Sequence, residues 1–149
     1  MLDVEGIRQR LPHRYPFLLI DRVVEKEEGR VVALKNVTVN EPFFQGHFPE
    51  PFEAVMPGVL IVEAMAQTAA FLVLPDGEDV PLEGYLVGID KARFRKKVVP
   101  GDQLRIEAEK VREKRGLLQA RVEVTVEGEP VASASISLVL LEGDPQEPQ

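Results

Sequence analysis

Apolar and polar side chains alternate along the second half of the chain. The segments 104–108, 120–126 and 132–140 each carry an apolar residue at every second position. A period of two is typical of a strand with one face in the core and the other in water. These segments therefore predict three antiparallel strands. The turns expected before and between them contain glycine: Pro100-Gly101-Asp102, Lys114-Arg115-Gly116 and Gly128.

The first half of the chain predicts three more strands and a short helix. The helix runs from Asp3 to Leu11, with Asp3 as its N-cap. Strands are expected over 21–27, 30–39 and 85–95, where β-branched and aromatic residues lie between turn residues. The segment 40–55 has no clear period and is predicted to be a loop.

One segment breaks the strand pattern because it is apolar on every side. Pro57-Gly58 opens it, and it is predicted to be a helix to about Leu74, where Pro75-Asp76-Gly77 stops it before a loop that ends near Pro81. A helix that is apolar all round is buried. We therefore expect an α+β fold in which a curled antiparallel sheet of about six strands covers one long central helix. A chain of 149 residues covers such a helix incompletely, so a homodimer is expected.

Composition narrows the class of protein. With 149 residues and 44% hydrophobic content, residues 1–141 are expected to form one domain, and the acidic, proline-containing tail 142–149 is expected to be disordered. The net charge of −7 argues against a nucleic-acid partner. The absence of cysteine excludes disulfides and thiol nucleophiles. Polar residues interrupt the apolar helix, so no membrane span is expected, and without a signal-peptide pattern the expected compartment is the cytoplasm.

Glu63 is the carboxylate on that apolar helix. A buried carboxylate loses its water at a cost of several kcal/mol unless something compensates, so folding alone would favour leucine or alanine. Gln67 lies one turn further along the same face and can hydrogen-bond the carboxyl. Glu63 is therefore either an acid for proton-transfer chemistry or a structural glutamate satisfied by Gln67 and the backbone.

A base and an oxyanion site accompany this acid in the sequence. Gly58 lies in the first helical turn, where its amide has no acceptor and its missing side chain lets a ligand approach. A carbonyl oxygen that gains negative charge suits this position, although Pro57-Gly58 also serves as a plain helix start. His47, in the preceding loop, is the natural base near neutral pH. His13 is predicted to be structural.

Together these groups suit the removal of a proton α to a thioester carbonyl and the loss of a β-hydroxyl as water. The sequence contains no nucleophilic serine pattern, metal-ligand cluster or glycine-rich phosphate loop. A separate feature is the cationic run KARFRKK at 91–97. It is either a solvated strand face or a docking patch for an anionic partner.

Five motifs, in this order along the chain, resemble those of the FabZ-type β-hydroxyacyl-[acyl-carrier-protein] dehydratases. They are LPHRYPFLLIDRV at 11–23, NEPFFQGHFP at 40–49, MPGVLIVEAMAQ at 56–67, GIDKARFR at 88–95 and VPGD at 99–102. The resemblance implies a hotdog fold and a dimeric catalytic unit, assembled as a trimer of dimers. It also implies dehydration of β-hydroxyacyl-acyl-carrier-protein to the trans-2-enoyl product in fatty-acid biosynthesis.

The resemblance also implies roles for individual residues. His47 takes the α-proton, Glu63 of the partner chain helps water to leave, and the Gly58 amide polarises the thioester carbonyl. Tyr85 matches a tyrosine that gates the acyl tunnel. The cations expected to dock the acidic carrier protein are Arg93, Arg95, Lys96 and Lys97. The substrate arrives on the carrier's phosphopantetheine, so no cofactor or metal is expected.

One detail of the motifs distinguishes this chain from the related FabA-type enzymes, and another departs from the FabZ-type pattern itself. Glutamate at position 63, where FabA-type dehydratase–isomerases carry aspartate, resembles the dehydratase that does not isomerise. The link 49–56 is about two residues longer than the family pattern and lacks its glycine. Because this link joins the base to the oxyanion helix, we expect it to affect the preference for acyl-chain length and the catalytic efficiency. The rival functions are a hotdog acyl thioesterase, in which Glu63 activates water, and a non-catalytic subunit that binds acyl carrier.

Overall fold

The computed structural model describes residues 1–74 and 82–142. The predicted loop 75–81 and the tail beyond residue 142 lie outside this range. The described helices are α1 (Val4–Arg10) and α2 (Gly58–Ala70), with a 3₁₀ turn at Pro42–Gln45. The strands are β1 (Arg22–Glu27), β2 (Arg30–Asn36), β3 (Leu82–Phe94), β4 (Gln103–Lys114), β5 (Leu117–Val126) and β6 (Glu129–Glu142).

The six strands form one antiparallel sheet in the order β1-β2-β4-β5-β6-β3. In the first half of β4, 103–108, and along 117–124 of β5, the buried and less buried side chains alternate as the period of two predicts. Buried residues such as Ile106, Val122 and Ile136 come from three adjacent strands and form part of one core. The predicted fold class, α+β with six strands, is confirmed.

The sheet curls around α2. This helix contacts five strands, β2 to β6. Five strands placed side by side span about 19 Å at about 4.8 Å per interval, whereas a helix with its side chains is about 10 Å across. A flat sheet could not reach the helix with all of them, so the strands bend toward it. Nine of the thirteen residues of α2 are buried by this arrangement.

Several predicted boundaries differ from the structure. The central helix was expected to reach Leu74, but it ends at Ala70, because Phe71 and Leu72 bond to carbonyls three residues back and tighten the chain into turns. The second strand ends at Asn36 instead of Val39. Beyond it, Val37 still exchanges hydrogen bonds with the turn before β4, and the chain then turns at Thr38.

Other local predictions are confirmed or extended. Asp3 caps α1, since its Oδ1 accepts from the Gly6 N–H at 3.0 Å. The expected loop 40–55 contains the 3₁₀ turn Pro42–Gln45, for which Glu41 is the N-cap residue. The third strand begins at Leu82, earlier than the predicted residue 85, and ends at Phe94.

A buried ion pair fixes the beginning of this loop. Lys35 Nζ lies 2.8 Å from Glu41 Oε2, and the two side chains are only 6% and 13% exposed. The same carboxylate accepts from the Thr38 N–H at 3.2 Å. Lys35 points from β2 into the protein, so the pair attaches the loop that leads to His47 to the sheet.

Removing the cation from this pair should destabilise the protein. In Lys35→Met the Glu41 carboxylate stays nearly buried without its partner, and breaking such a pair costs about 3 kcal/mol or more. Lys110→Met is the matched control, because Lys110 pairs with Glu113 at the surface and should stay within about 0.5 kcal/mol of wild type. Urea unfolding measures both. Equal midpoints for the two variants would contradict the assignment.

Candidate active site

The carboxamide of Gln67 organises the surroundings of Glu63. Gln67 is 1% exposed. Its Nε2 donates to Glu63 Oε2 at 3.0 Å and to the Phe17 carbonyl at 2.7 Å, and its Oε1 accepts from the Leu19 N–H at 2.9 Å. The predicted contact between Gln67 and Glu63, one helical turn apart, is therefore present. Its other two bonds join α2 to the segment 17–19.

Glu63 faces a narrow cavity of about 40 Å³. One stripe of α2 forms a wall of this cavity, because residues spaced by three or four positions share a helix face. The remaining wall is mostly apolar and comes from the segment after α1 and from β3 and β6. The lining residues are Leu11, His13, Glu63, Ala66, Gln67, Ala70, Leu74, Gly84, Leu86, Leu138 and Leu140.

His13 lies beside Glu63, which the sequence did not reveal. Its Nε2 is 3.5 Å from Glu63 Oε2, with side chains 23% and 19% exposed. Its Nδ1 is buried and has no hydrogen-bond partner among the described residues. The only sequence signal was the placement of His13 in a proline-containing segment rich in apolar residues, which does not indicate what it contacts.

His47 is held by the backbone of its own loop. Its Nδ1 lies 2.7 Å from the Val55 carbonyl oxygen, and the Val55 N–H donates to the His47 carbonyl at 3.0 Å. A carbonyl can only accept, so Nδ1 carries the proton. In the neutral ring Nε2 is then an unprotonated base. The His47–Phe48 peptide bond is cis, and the two rings stack with centroids 4.1 Å apart.

A second cavity, of about 390 Å³, contains His47 and the start of α2. Gly58 lines it as the first residue of the helix, after the N-cap Pro57. The structure gives the Gly58 N–H no acceptor within the described ranges. A Cβ at this position would lie 3.0 Å from the Phe94 ring, so glycine also permits close packing there. The other lining residues are Val55, Met56, Ile61, Arg95, Lys96, Lys97 and Val98.

The candidate base and the candidate acid thus line different cavities of the same chain. His47 and Gly58 share one, and Glu63 and Gln67 share the other. Glu63 lies about 7.5 Å beyond Gly58 along α2, at about 1.5 Å per residue. The base and the oxyanion site therefore line one cavity of the chain, and the acid does not line that cavity.

Tyr85 lies on the face of β3 opposite to the Glu63 cavity. Its neighbours Gly84 and Leu86 line the cavity, and successive residues of a strand point to opposite faces. Tyr85 is 53% exposed, and its hydroxyl donates to Glu83 Oε2 at 3.1 Å. This hydrogen bond to the carboxylate raises the pKa of Tyr85. Its role as a gate stays a prediction.

Three of the four predicted docking cations border the His47 cavity. They are Arg95, Lys96 and Lys97, and Arg93 is exposed on β3. Lys96 is paired with Glu129, Lys97 with Glu53 at 2.6 Å, and Arg95 Nη1 lies 3.1 Å from Ser133 Oγ.

The link 49–56, predicted from the motifs to be longer than the family pattern, reaches this cationic segment. It supplies Glu53, the partner of Lys97, and a turn in which the Phe52 N–H bonds to the Pro49 carbonyl at 2.9 Å. Glu53 therefore offsets part of the positive charge beside the His47 cavity.

Within residues 1–74 and 82–142, no three His, Asp or Glu side chains cluster as a metal site would require. In the same ranges, no helix combines the length and the apolar character needed to cross a bilayer.

Comparison with known proteins identifies the family of the chain. The profile of the FabA-like domain family matches residues 11–135. The 3-hydroxyacyl-[acyl-carrier-protein] dehydratase FabZ of Oceanobacillus iheyensis is 52% identical over 141 residues, covering 94% of this chain and 99% of that protein.

Solved structures share the fold. The dehydratase heterocomplex ApeI:P from Xenorhabdus doucetiae superposes with a TM-score of 0.72 at 17% identity, over 95% of this chain and 93% of that one. A hypothetical protein of Thermus thermophilus, described as a thioesterase superfamily member, gives a TM-score of 0.61 at 26% identity, over 78% and 84%. The hotdog fold expected from the motifs is confirmed.

The tautomer of His47 can be measured directly. At about pH 8.5, where an ordinary imidazole is neutral, ¹⁵N NMR should show His47 protonated on Nδ1 and unprotonated on Nε2, since Val55 accepts from Nδ1. The chain contains two histidines, so the spectrum of His13→Asn assigns the signals. A proton on Nε2 of His47 would exclude this nitrogen as the base.

Proposed function

The chain belongs to the FabA-like family, and on that premise we propose that it is a hydro-lyase of fatty-acid biosynthesis. It dehydrates 3-hydroxyacyl chains on acyl carrier protein to trans-2-enoyl chains. The support for the substrate is the 52% identity to a FabZ dehydratase along 94% of the chain. The support for the chemistry is the set of groups around the two cavities.

His47 is the base in the proposed reaction. Because Val55 holds Nδ1–H, the Nε2 lone pair is available for the proton on the carbon next to the thioester carbonyl. As this C–H bond breaks, negative charge moves onto the thioester oxygen. The Gly58 N–H, at the positive end of α2 and in the same cavity as His47, stabilises this charge.

Glu63 of a partner chain is the acid. It gives its proton to the 3-hydroxyl group, so that the C–O bond breaks and water leaves while the double bond forms. The apolar wall of the Glu63 cavity suits the acyl chain, because hydrocarbon is best removed from water. The stripe of α2 from Glu63 to Ala70 along this cavity is about 10 Å long, at about 1.5 Å per residue. The reaction uses no cofactor or metal, since the base, the acid and the oxyanion site are protein groups.

The observation that carries this mechanism is the separation of His47 and Glu63 into two cavities of one chain. In the proposed mechanism a second copy supplies the missing group. β3 is suited to form the dimer, because it is an edge strand of thirteen residues with exposed apolar side chains on both faces. These side chains include Leu86, Val87 and Ile89. A trimer of such dimers is the proposed assembly.

Thioester hydrolysis is the second candidate, favoured by the fold shared with the Thermus thermophilus protein. That likeness is 26% in identity, against 52% for the FabZ relative. The two reactions give different products from a 3-hydroxyacyl carrier substrate. Dehydration yields an enoyl thioester that absorbs in the ultraviolet, whereas hydrolysis releases a free carrier thiol that reacts with a thiol reagent.

Mixed oligomers test the shared active site. His47→Ala and Glu63→Gln proteins should each lose activity by about 10²-fold or more. Co-expressed in equal amounts, they should recover about one quarter of the wild-type specific activity, because half of random twofold dimers are mixed and each mixed dimer has one intact site of two. Enoyl formation per mole of chain is the measurement.

The control for this experiment is His47→Ala co-expressed with the His47→Ala/Glu63→Gln double variant. No dimer of that mixture contains an intact shared site, so its activity should stay at the level of the single variants. If the first mixture also fails to recover although mixed dimers form, the two residues do not act across the interface. Near wild-type rates for both single variants would refute the mechanism itself.

Charge reversal tests carrier docking. Arg95→Glu/Lys96→Glu should lower kcat/KM for the carrier-linked substrate about 10-fold or more, while a pantetheine thioester changes less than about 2-fold. The matched control reverses Arg112 and Lys114, two exposed cations of the β4–β5 hairpin that line neither cavity. Equal losses on both substrates would remove the docking role, and added salt should reduce the difference.

A further inference from the structure

His13 is a half-buried polar residue that the mechanism above does not use. It lies in the cavity of Glu63, with Nε2 at 3.5 Å from Oε2 of the carboxylate. That distance is slightly longer than a hydrogen bond. Catalytic contacts of this kind often shorten when substrate binds. His13 is therefore within reach of the proposed acid without being bonded to it.

The protonation of His13 follows from its surroundings. Its Nδ1 is buried and has no partner in the described part of the chain. A proton on Nδ1 would be a buried donor without an acceptor, which is unfavourable, whereas a proton on Nε2 faces a carboxylate. The neutral ring with its proton on Nε2 is the form that fits this site.

The two donors near Glu63 approach the same oxygen. Gln67 Nε2 is bonded to Oε2 at 3.0 Å, and His13 Nε2 faces Oε2 as well. Within residues 1–74 and 82–142, no donor is bonded to Oε1. The carboxyl therefore has one oxygen tied to the protein and one oxygen free.

We propose that His13 is a positioning residue for Glu63. Its Nε2–H donates to Oε2 when substrate is bound, and together with Gln67 it orients the carboxyl so that Oε1 carries the proton to the departing hydroxyl. The proton moves from Oε1 to the hydroxyl oxygen, the C–O bond breaks, and the carboxylate is left with its charge opposite two N–H groups. This inference rests on the proposed dehydration.

Three substitutions in the full-length protein test the role. His13→Leu removes the donor, His13→Gln places an amide nitrogen near the position of Nε2, and His13→Asn places one near Nδ1. We expect His13→Leu and His13→Asn to lower kcat about 10-fold or more, with KM within about 3-fold of wild type, because a misplaced acid slows the chemical step. His13→Gln should recover kcat to within about 3-fold of wild type by restoring the donor.

Other outcomes would overturn the inference. A wild-type kcat in His13→Leu would show that no positioning is needed. Equal losses in the Gln and Asn variants would show that the position of the donor does not matter. A change in KM alone would show that His13 contributes to substrate binding and does not position the acid. Inactive wild-type protein would instead contradict the proposed function, so the two failures are distinguishable.

An NMR measurement tests the contact without using activity, and it applies even if a His13 variant fails to fold. In the wild-type sequence the ¹⁵N spectrum should place the proton of His13 on Nε2, the reverse of His47. Glu63→Gln should shift the His13 Nε2–H signal, whereas Glu109→Gln, an exposed change outside both cavities, should not. A proton on Nδ1 of His13, or no response to Glu63→Gln, would overturn the proposal.

Discussion

The position of Glu63 depends on the hydrogen bonds of the buried Gln67 carboxamide. Its oxygen accepts from Leu19 N–H, which leaves its nitrogen to face the Phe17 carbonyl and the Glu63 carboxylate. An unmade bond in such a position costs about 1–3 kcal/mol, so the amide cannot rotate freely. One side chain therefore fixes the path of the segment 17–19 and the orientation of Glu63. Because that segment is continuous with residue 13, it also helps to place His13.

Most of the sheet could be predicted from the sequence, because a strand with one buried face carries apolar residues at every second position. In β4 and β5 the alternation of apolar and polar positions decides which side chains face α2. Boundaries were less predictable. The apolar run continues past Ala70, and nothing in residue type distinguishes an α-helical turn from the tighter turns that follow it.

The site was predictable in its parts but not in its arrangement. Glu63 was recognisable as a carboxylate in an apolar helix, and Gln67 followed from the spacing of one helical turn. The contact between His13 and Glu63 joins residues fifty positions apart. It depends on how the chain before β1 crosses the helix, and no local pattern records that path. The separate cavities of His47 and Glu63 likewise arise from tertiary structure.

The division of groups between the cavities matches the division of the proposed reaction. His47 and the Gly58 amide serve the breaking of the C–H bond, since one takes the proton and the other stabilises the charge on the thioester oxygen. Glu63, held by Gln67 and approached by His13, serves the breaking of the C–O bond. In each chain, one cavity holds the groups that break the C–H bond and the other holds the groups that break the C–O bond. Neither set of groups can complete the elimination alone. The proposed dimer interface is therefore part of the active site. The exposed apolar side chains of β3 serve catalysis as well as assembly, because burying them in the proposed dimer brings the two sets of groups together.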